Sequence, residues 1–368
     1  MTMNSARRRE QLNRFVEVAP NSVTIRTEPR GRRPVSRGEA RVEVLACGIC
    51  GTDLHLWRGM RLPPGAEYPV RPGHEVCGRI VELGEPGAAM TGDESAKEAL
   101  ALGDVVVLHP IRACGTCSTC AAGFDQLCPH GEILGIHQPG GLADEVVWPT
   151  HRMVRVAGVT PTRAAVLADA VATAYRAVSV AALPDSPAVC VIGAGGVGTH
   201  VLELLGALHP TATVVGITGT ESSAVRLREA GHLADVNGPD LVKRLRRDFG
   251  AFDHVFDFSG APGSPAQGIR LLKNGGTLVF GSLLEGTLDL GPAVALQTRE
   301  LTVRGVYNSS MSDLREVVAL ATSGRLDLTH SVSHTADLGE AVEAFDTLAG
   351  RPRGLVRMVL TTGGSADG

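Results

Sequence analysis

At 368 residues the chain exceeds the roughly 100–200 usual for one domain, so two domains are expected. Hydrophobic residues at 43% and charged residues at 20% match soluble globular proteins and exclude disordered or membrane composition. A net charge of −4 without a long basic stripe excludes the electrostatic footprint of a nucleic-acid binder.

Near the start, Arg7, Arg8 and Arg9 lead into Glu10, Gln11, Asn13 and Arg14 instead of an apolar core, which is not a secretory signal. Up to about residue 165, short β-like runs broken by Gly and Pro predict a compact, mostly β module. Examples are Arg41–Leu45, Gly78–Leu83, Asp104–Leu108 and Glu145–Trp148, with Glu85–Leu102 as a surface loop. Ala164–Leu183 is the longest apolar-rich stretch, but Asp169 and Arg176 inside it argue against a membrane span. A cytoplasmic location follows by default. From about 166 the rhythm changes to Val189–Ile192 extended, Val197–Leu208 helical, Thr213–Ile217 extended, and Ser222–Ala230 and Leu241–Asp248 helical. His254–Phe258 extended, Pro265–Leu272 helical and Thr277–Gly281 extended continue it, predicting βαβ units and a parallel, doubly wound sheet. An extended run Leu301–Val306, a helix near Asp313–Thr322 and a final β-like run Leu355–Thr361 follow, the tail from about 325 returning to the first module.

Four of the eight cysteines, Cys114, Cys117, Cys120 and Cys128, form a CxxCxxCxxxxxxxC run. Four thiolates at that spacing can close a tetrahedral shell, which is structural because no position is left for substrate. An iron–sulfur cluster also takes four cysteines, but the last spacing does not match the ferredoxin runs, so zinc is expected. A second signal is Cys50-Gly51-Thr52-Asp53-Leu54-His55, followed by Gly73-His74-Glu75. A thiolate and an imidazole from separate segments begin a catalytic zinc site with one position open, although a lone Cys or His is more often a core residue. The third signal is Gly193-Ala194-Gly195-Gly196-Val197-Gly198, directly after an apolar strand and opening a helix. Glycines there let the backbone approach a pyrophosphate, and the helix N-terminus supplies N–H groups.

In this order the three signals resemble the zinc-containing medium-chain alcohol dehydrogenases, from about residue 20 to 362. The resemblance implies an α/β protein in which a GroES-like, mostly β catalytic domain, 1–165 completed by 325–368, accompanies a doubly wound Rossmann coenzyme domain, 166–324. Alcohol dehydrogenases are themselves the type example of a Cys₂His catalytic zinc. Their Gly-x-Cys-x-Ser/Thr-Asp-x-x-His segment fits Gly48–His55, which makes Cys50, not Cys47, a ligand. The family's Gly-His-Glu element makes His74 a ligand and Glu75 an auxiliary beside the metal. The third ligand, four residues before Thr173-Ala174-Tyr175, falls on Asp169 where many simple members carry Cys. A carboxylate remains a normal zinc ligand.

The resemblance further implies two zinc ions per chain and hydride transfer between a small alcohol, or its aldehyde or ketone, and NAD(P). Thr52 is then the inner and His55 the outer member of a proton relay. At the end of the second coenzyme-domain strand, Thr218 replaces the Asp that would bond the ribose hydroxyls of NAD. With Ser222, Ser223 and Arg226 nearby, NADP(H) is favoured over NAD(H). Arg357 matches a basic position that reaches the cofactor phosphates in relatives. Leu301–Val306 corresponds to an edge that pairs subunits, implying a homodimer or homotetramer. Arg58 and Arg61, next to the relay segment, suggest a polar substrate. The alternatives are an NAD-specific polyol, sugar or aldehyde dehydrogenase of the same family, and a catalytically silent nucleotide-binding relative. No nucleic-acid or membrane partner is expected.

Overall fold

Strand Glu39–Ile49 is buried along nearly its whole length, with Val42 and Ala46 at 0% exposure and Arg41 and Cys47 at 7% and 1%, as expected of a strand covered on both faces. It is the hub of a seven-stranded sheet in the computed structural model, which describes residues 12–87, 99–282, 286–350 and 355–363. The expectations for Arg7–Arg9, and much of that for the loop Glu85–Leu102, lie outside the described residues.

The path of this sheet runs His334–Asp337, Met358–Thr361, Glu39–Ile49, Glu75–Leu83, Val105–Leu108 and Met153–Arg155, with Glu145–Pro149 also pairing Glu39–Ile49. Antiparallel register sets Gly48 opposite both Glu75 and Val359. Cys50, His74 and Arg357 therefore stand at the same end of three adjacent strands. Gly48 has a local reason, since a Cβ there would collide with the Glu75 carboxylate. Trp148, Ile80, Leu108 and Phe345 fill the core around this sheet.

A second sheet has six parallel strands in the order Leu233–Val236, Thr213–Thr218, Ala188–Ile192, Phe252–Asp257, Leu272–Phe280 and Thr302–Gly305. Helices Gly198–Leu208, Glu221–Glu229, Leu241–Phe249 and Ser264–Leu271 provide the crossovers. Ile192 pairs with both Ile217 and Asp257, so the order reverses at Ala188–Ile192. The carboxyl ends beside such a reversal are where open α/β sheets bind ligands.

The chain divides into two compact units, 1–169 with 310–322 and 332–368, and 170–309 with 323–331. Sequence reasoning draws the second boundary at 324, whereas helix Met311–Thr322 belongs to the first unit, its Met311 N–H donating to Asp125. The expected run Leu355–Thr361 is strand only over Met358–Thr361. Arg357 O instead accepts from Ser333 and His334 N–H groups.

Candidate functional site

Cys50 leaves the end of strand Glu39–Ile49 in extended conformation, φ −101 and ψ 167, and starts the short helix Gly51–Trp57. His74 immediately precedes strand Glu75–Leu83, and Asp169 sits in a single π-helical turn, Leu167–Val171. Such turns recur at functional positions. One donor atom each of Cys50, His74, Glu75 and Asp169 lies within 4.8 Å of the others. Asp169 Oδ2 is 3.6 Å from Cys50 Sγ and 3.6 Å from His74 Nε2. The edges of a tetrahedron around zinc, with ligands at about 2.0–2.3 Å, measure about 3.3–3.8 Å.

The surroundings are rich in buried acid. Asp53 and Glu75 are 0% exposed, and Asp53 Oδ1 and Glu75 Oε2 have no hydrogen-bond partner among the described residues. Asp53 Oδ2 accepts the Cys50 backbone N–H at 2.8 Å, while Oδ1 lies 3.8 Å from His74 Nδ1. Burial opposes a charge on His74, but Asp53, Asp169 and Cys50 together hold its pKa well above the ordinary value. Burial pushes Glu75 up to about 7 against the pull of Arg357. Orphaned buried oxygens and a proton-hungry imidazole are what a ligand set shows when a cation, not a proton, belongs at its centre.

In the other cluster Cys117 Sγ is 3.5 Å from Cys120 Sγ and 3.9 Å from Cys128 Sγ, and Cys114 Sγ is 4.0 Å from Cys120 Sγ. These separations also suit tetrahedral edges, and all eight cysteines are free thiols. Backbone N–H groups of Thr116 and Cys117 pull Cys114 down to about 5. Burial and the neighbouring thiols push Cys120 up to about 12. Four sulfurs so close cannot all ionise without a cation. The lobe is tied down by Asp125, which takes Arg152 Nη1 at 2.5 Å.

In the second unit the glycine turn links strand Ala188–Ile192 to helix Gly198–Leu208. Gly193 has φ +83, and Gly193 and Ala194 both donate to Ile217 O, at 2.9 and 3.0 Å. A Cβ at Gly195 would meet nothing within 4 Å, so that face is open, whereas one at Gly198 would strike Gly193 O. Thr218 closes the neighbouring strand, its Oγ1 donating to Thr220 O at 2.9 Å. Thr220 Oγ1 caps helix Glu221–Glu229 by accepting Ser223 N–H.

Residues 36–158 match the alcohol dehydrogenase GroES-like domain and residues 196–323 the zinc-binding dehydrogenase domain. The chain is 30% identical over 345 residues to the "Probable zinc-binding alcohol dehydrogenase" of Mycobacterium tuberculosis, covering 90% of this chain and 83% of that one. The chain belongs to the zinc-containing medium-chain alcohol dehydrogenases. This dehydrogenase, an oxidoreductase by family, is also 28% identical over 325 residues to L-galactonate-5-dehydrogenase of Escherichia coli, covering 88% and 92% of the two chains. A protein of Sinorhizobium meliloti solved bound to NADP superposes with TM-score 0.82 and 26% identity, covering 95% of the dehydrogenase and 99% of that chain.

Thr52 and His55 stand one turn apart on the dehydrogenase's helix Gly51–Trp57, both half-buried. Gly196 and Val197 lie in the glycine turn between Gly195 and the start of the helix. Arg357, which the resemblance assigns to the cofactor phosphates, is 4% exposed, and its Nη1 donates to Glu75 Oε1 at 2.8 Å. A fully buried carboxylate needs that cation. Arg58 and Arg61 are exposed, and Arg226 is half-buried. Sequence reasoning missed Asp53 as a working residue. The signal was present, because a metal-bound imidazole needs an acceptor for its second nitrogen and Asp53 lies three residues after Cys50.

Proposed function

We propose that this dehydrogenase transfers hydride between a small polar alcohol, or its carbonyl form, and NAD(P), using a zinc ion held by Cys50, His74 and Asp169. A second zinc in the Cys114, Cys117, Cys120 and Cys128 shell is structural in this reading. The observation that carries it is the acid-rich donor set of buried His74 and Glu75 with half-buried Cys50 and Asp169, matched to tetrahedral spacing.

Zinc supplies Lewis acidity to the substrate oxygen when bound. The chain's residues do the rest. Asp53, its Oδ1 3.8 Å from His74 Nδ1, orients the imidazole electrostatically so that Nε2 faces Asp169 and Cys50. Arg357 holds Glu75 beside the donor set, and Thr52 Oγ1 receives the substrate's proton and passes it towards His55. In the second unit the glycine turn and the start of helix Gly198–Leu208 hold the pyrophosphate.

NADP(H) is the favoured coenzyme because strand Thr213–Thr218 ends in a hydroxyl rather than a carboxylate, and Thr220, Ser222 and Ser223 add hydroxyls beside a helix start. Glu221, the nearby acid, is paired with Arg228 at 2.7 Å. A polyhydroxylated or acidic substrate is supported by the likeness to L-galactonate-5-dehydrogenase and by exposed Arg58 and Arg61 beside the relay helix. Free cysteines throughout support a reducing, cytoplasmic setting. Among the described residues no helix is long and apolar enough to cross a membrane.

Two measurements test the proposal together. Metal analysis should find two zinc ions per chain, with Asp169→Asn losing one of them and the activity while the four-cysteine zinc stays. A panel of alcohols, polyols and sugar acids with both coenzymes should then show turnover in wild type. A single zinc unaffected by Asp169→Asn, or no dinucleotide-dependent turnover across the panel, refutes it.

A further inference from the structure

The carboxyl end of strand Phe252–Asp257 carries a side-chain knot that the proposed chemistry does not use. Asp257 is 1% exposed. Its Oδ1 accepts the Ser259 backbone N–H at 2.9 Å and the Ser259 hydroxyl at 2.8 Å, while Oδ2 accepts the Ser264 hydroxyl at 2.5 Å. Ser259 Oγ in turn accepts the Ala261 N–H at 3.1 Å, and the two serine oxygens are 2.6 Å apart. Both carboxylate oxygens are therefore spent on the turn that follows the strand.

That turn is the wall against which the glycine turn rests. A Cβ at Gly193 would overlap Ser259 N and Cα and the Phe258 carbonyl carbon. On its other sides Gly193 is held by its N–H bond to Ile217 O at 2.9 Å and by the close packing of Gly198 on Gly193 O. Two of the three constraints come from backbone that regular structure already fixes, the strand end at Ile217 and the helix start at Gly198. The third, Ser259, lies in irregular chain just after Phe258, whose N–H bonds Ile192 O at 2.8 Å, and its own N–H and hydroxyl are held by Asp257.

We propose that Asp257, acting through Ser259 and Ser264, is a positioning residue for the dinucleotide pyrophosphate. It sets the Ser259 backbone, which sets the seat of Gly193 and so the direction of the N–H groups that follow. The proposal rests on the reading that the glycine turn binds NAD(P). Charge-assisted hydrogen bonds are the strong ones, and here one carboxylate gathers three. Asn at 257 would keep the shape but remove the charge and turn a donor towards donors.

The test uses the full-length protein in titrations with NADH, NADPH and ADP-ribose, and with adenosine, which lacks the pyrophosphate. In Asp257→Asn and Ser264→Ala the dinucleotides and ADP-ribose should bind about 10-fold more weakly, the size of effect expected for one charged hydrogen bond. Adenosine binding and zinc content should stay as in wild type. Ser259→Thr, which keeps the hydroxyl, should stay close to wild type where Ser259→Ala does not. Unchanged dinucleotide affinity in folded Ser264→Ala and Ser259→Ala, or an equal loss for adenosine, overturns the proposal. If Asp257→Asn does not fold, those two serine variants carry the test. Wild type that binds neither coenzyme refutes the dinucleotide reading and the proposal with it, whereas tight wild-type binding that the variants leave unchanged refutes only the proposal.

Discussion

Glu75 and Arg357 are a buried pair whose cost depends on pH. Burial raises Glu75 from 4.5 to about 7, so between those values the folded chain binds a proton that the unfolded chain does not. The contribution of Glu75 to stability therefore falls as pH rises through about 4.5 to 7. Arg357 opposes that rise, since its charge lowers the Glu75 pKa. In zinc-free Arg357→Met the fall should extend to higher pH. Urea unfolding should show a small loss at pH 5, where Glu75 is neutral in both proteins, and a loss approaching the 3–5 kcal/mol of a broken buried pair, roughly, at pH 8. Equal losses at both pH values would show that Arg357 acts by packing alone. This pair was illegible in the sequence because its members are 282 residues apart. Cys50, His74 and the four-cysteine run were legible for the opposite reason, as each stands in a short local segment whose donor atoms the fold brings within reach of one another. Asp53 stood inside the quoted segment, but its use depends on where His74 Nδ1 points, which no spacing states.

Among the elements, the central parallel strands could be read because they contain short apolar runs, such as Val189-Cys190-Val191-Ile192, buried on both faces. Hairpin Leu12–Ala19 with Ser22–Pro29 escaped because its second strand, Ser-Val-Thr-Ile-Arg-Thr-Glu-Pro, is half-exposed and its turn sits at Pro20-Asn21 rather than at a glycine. Strand Leu233–Val236 is too short and too exposed to show a period. The π turn at Leu167–Val171 depends on a hydrogen-bond pattern that residue propensity does not encode, yet it presents Asp169. The end of strand Thr213–Thr218 supplies a prediction at this scale. Thr218 is 4% exposed and its hydroxyl is committed to Thr220 O, so Thr218→Asp exchanges a satisfied donor for a carboxylate at the strand end. If Thr218 faces a 2′-phosphate, NADPH should bind about 10-fold more weakly through like-charge repulsion while NADH holds or improves. An unchanged ratio of the two dissociation constants would remove Thr218 from the coenzyme site.

For the molecule as a whole, the six-stranded sheet has two ends, and one of them bears on assembly. Strand Thr302–Gly305 ends the strand order, with no further strand beside it among the described residues. Unpaired edges are a liability that proteins cover, shorten or use. Close to this edge in the chain, Val294 is 59% and Tyr307 47% exposed, large apolar groups that gain from burial. A two-fold axis at the edge would set two copies of the strand antiparallel and bury the same residues twice, because a two-fold interface is isologous. We therefore expect a dimer or tetramer in sizing and light-scattering experiments at micromolar concentration. Val294→Asp combined with Tyr307→Asp should shift that species towards monomer, by placing like charges against their own symmetry mates, while both zinc ions remain bound. A monomeric wild type would rule out assembly at this concentration. An oligomer untouched by the double substitution would place the interface on another face of the chain.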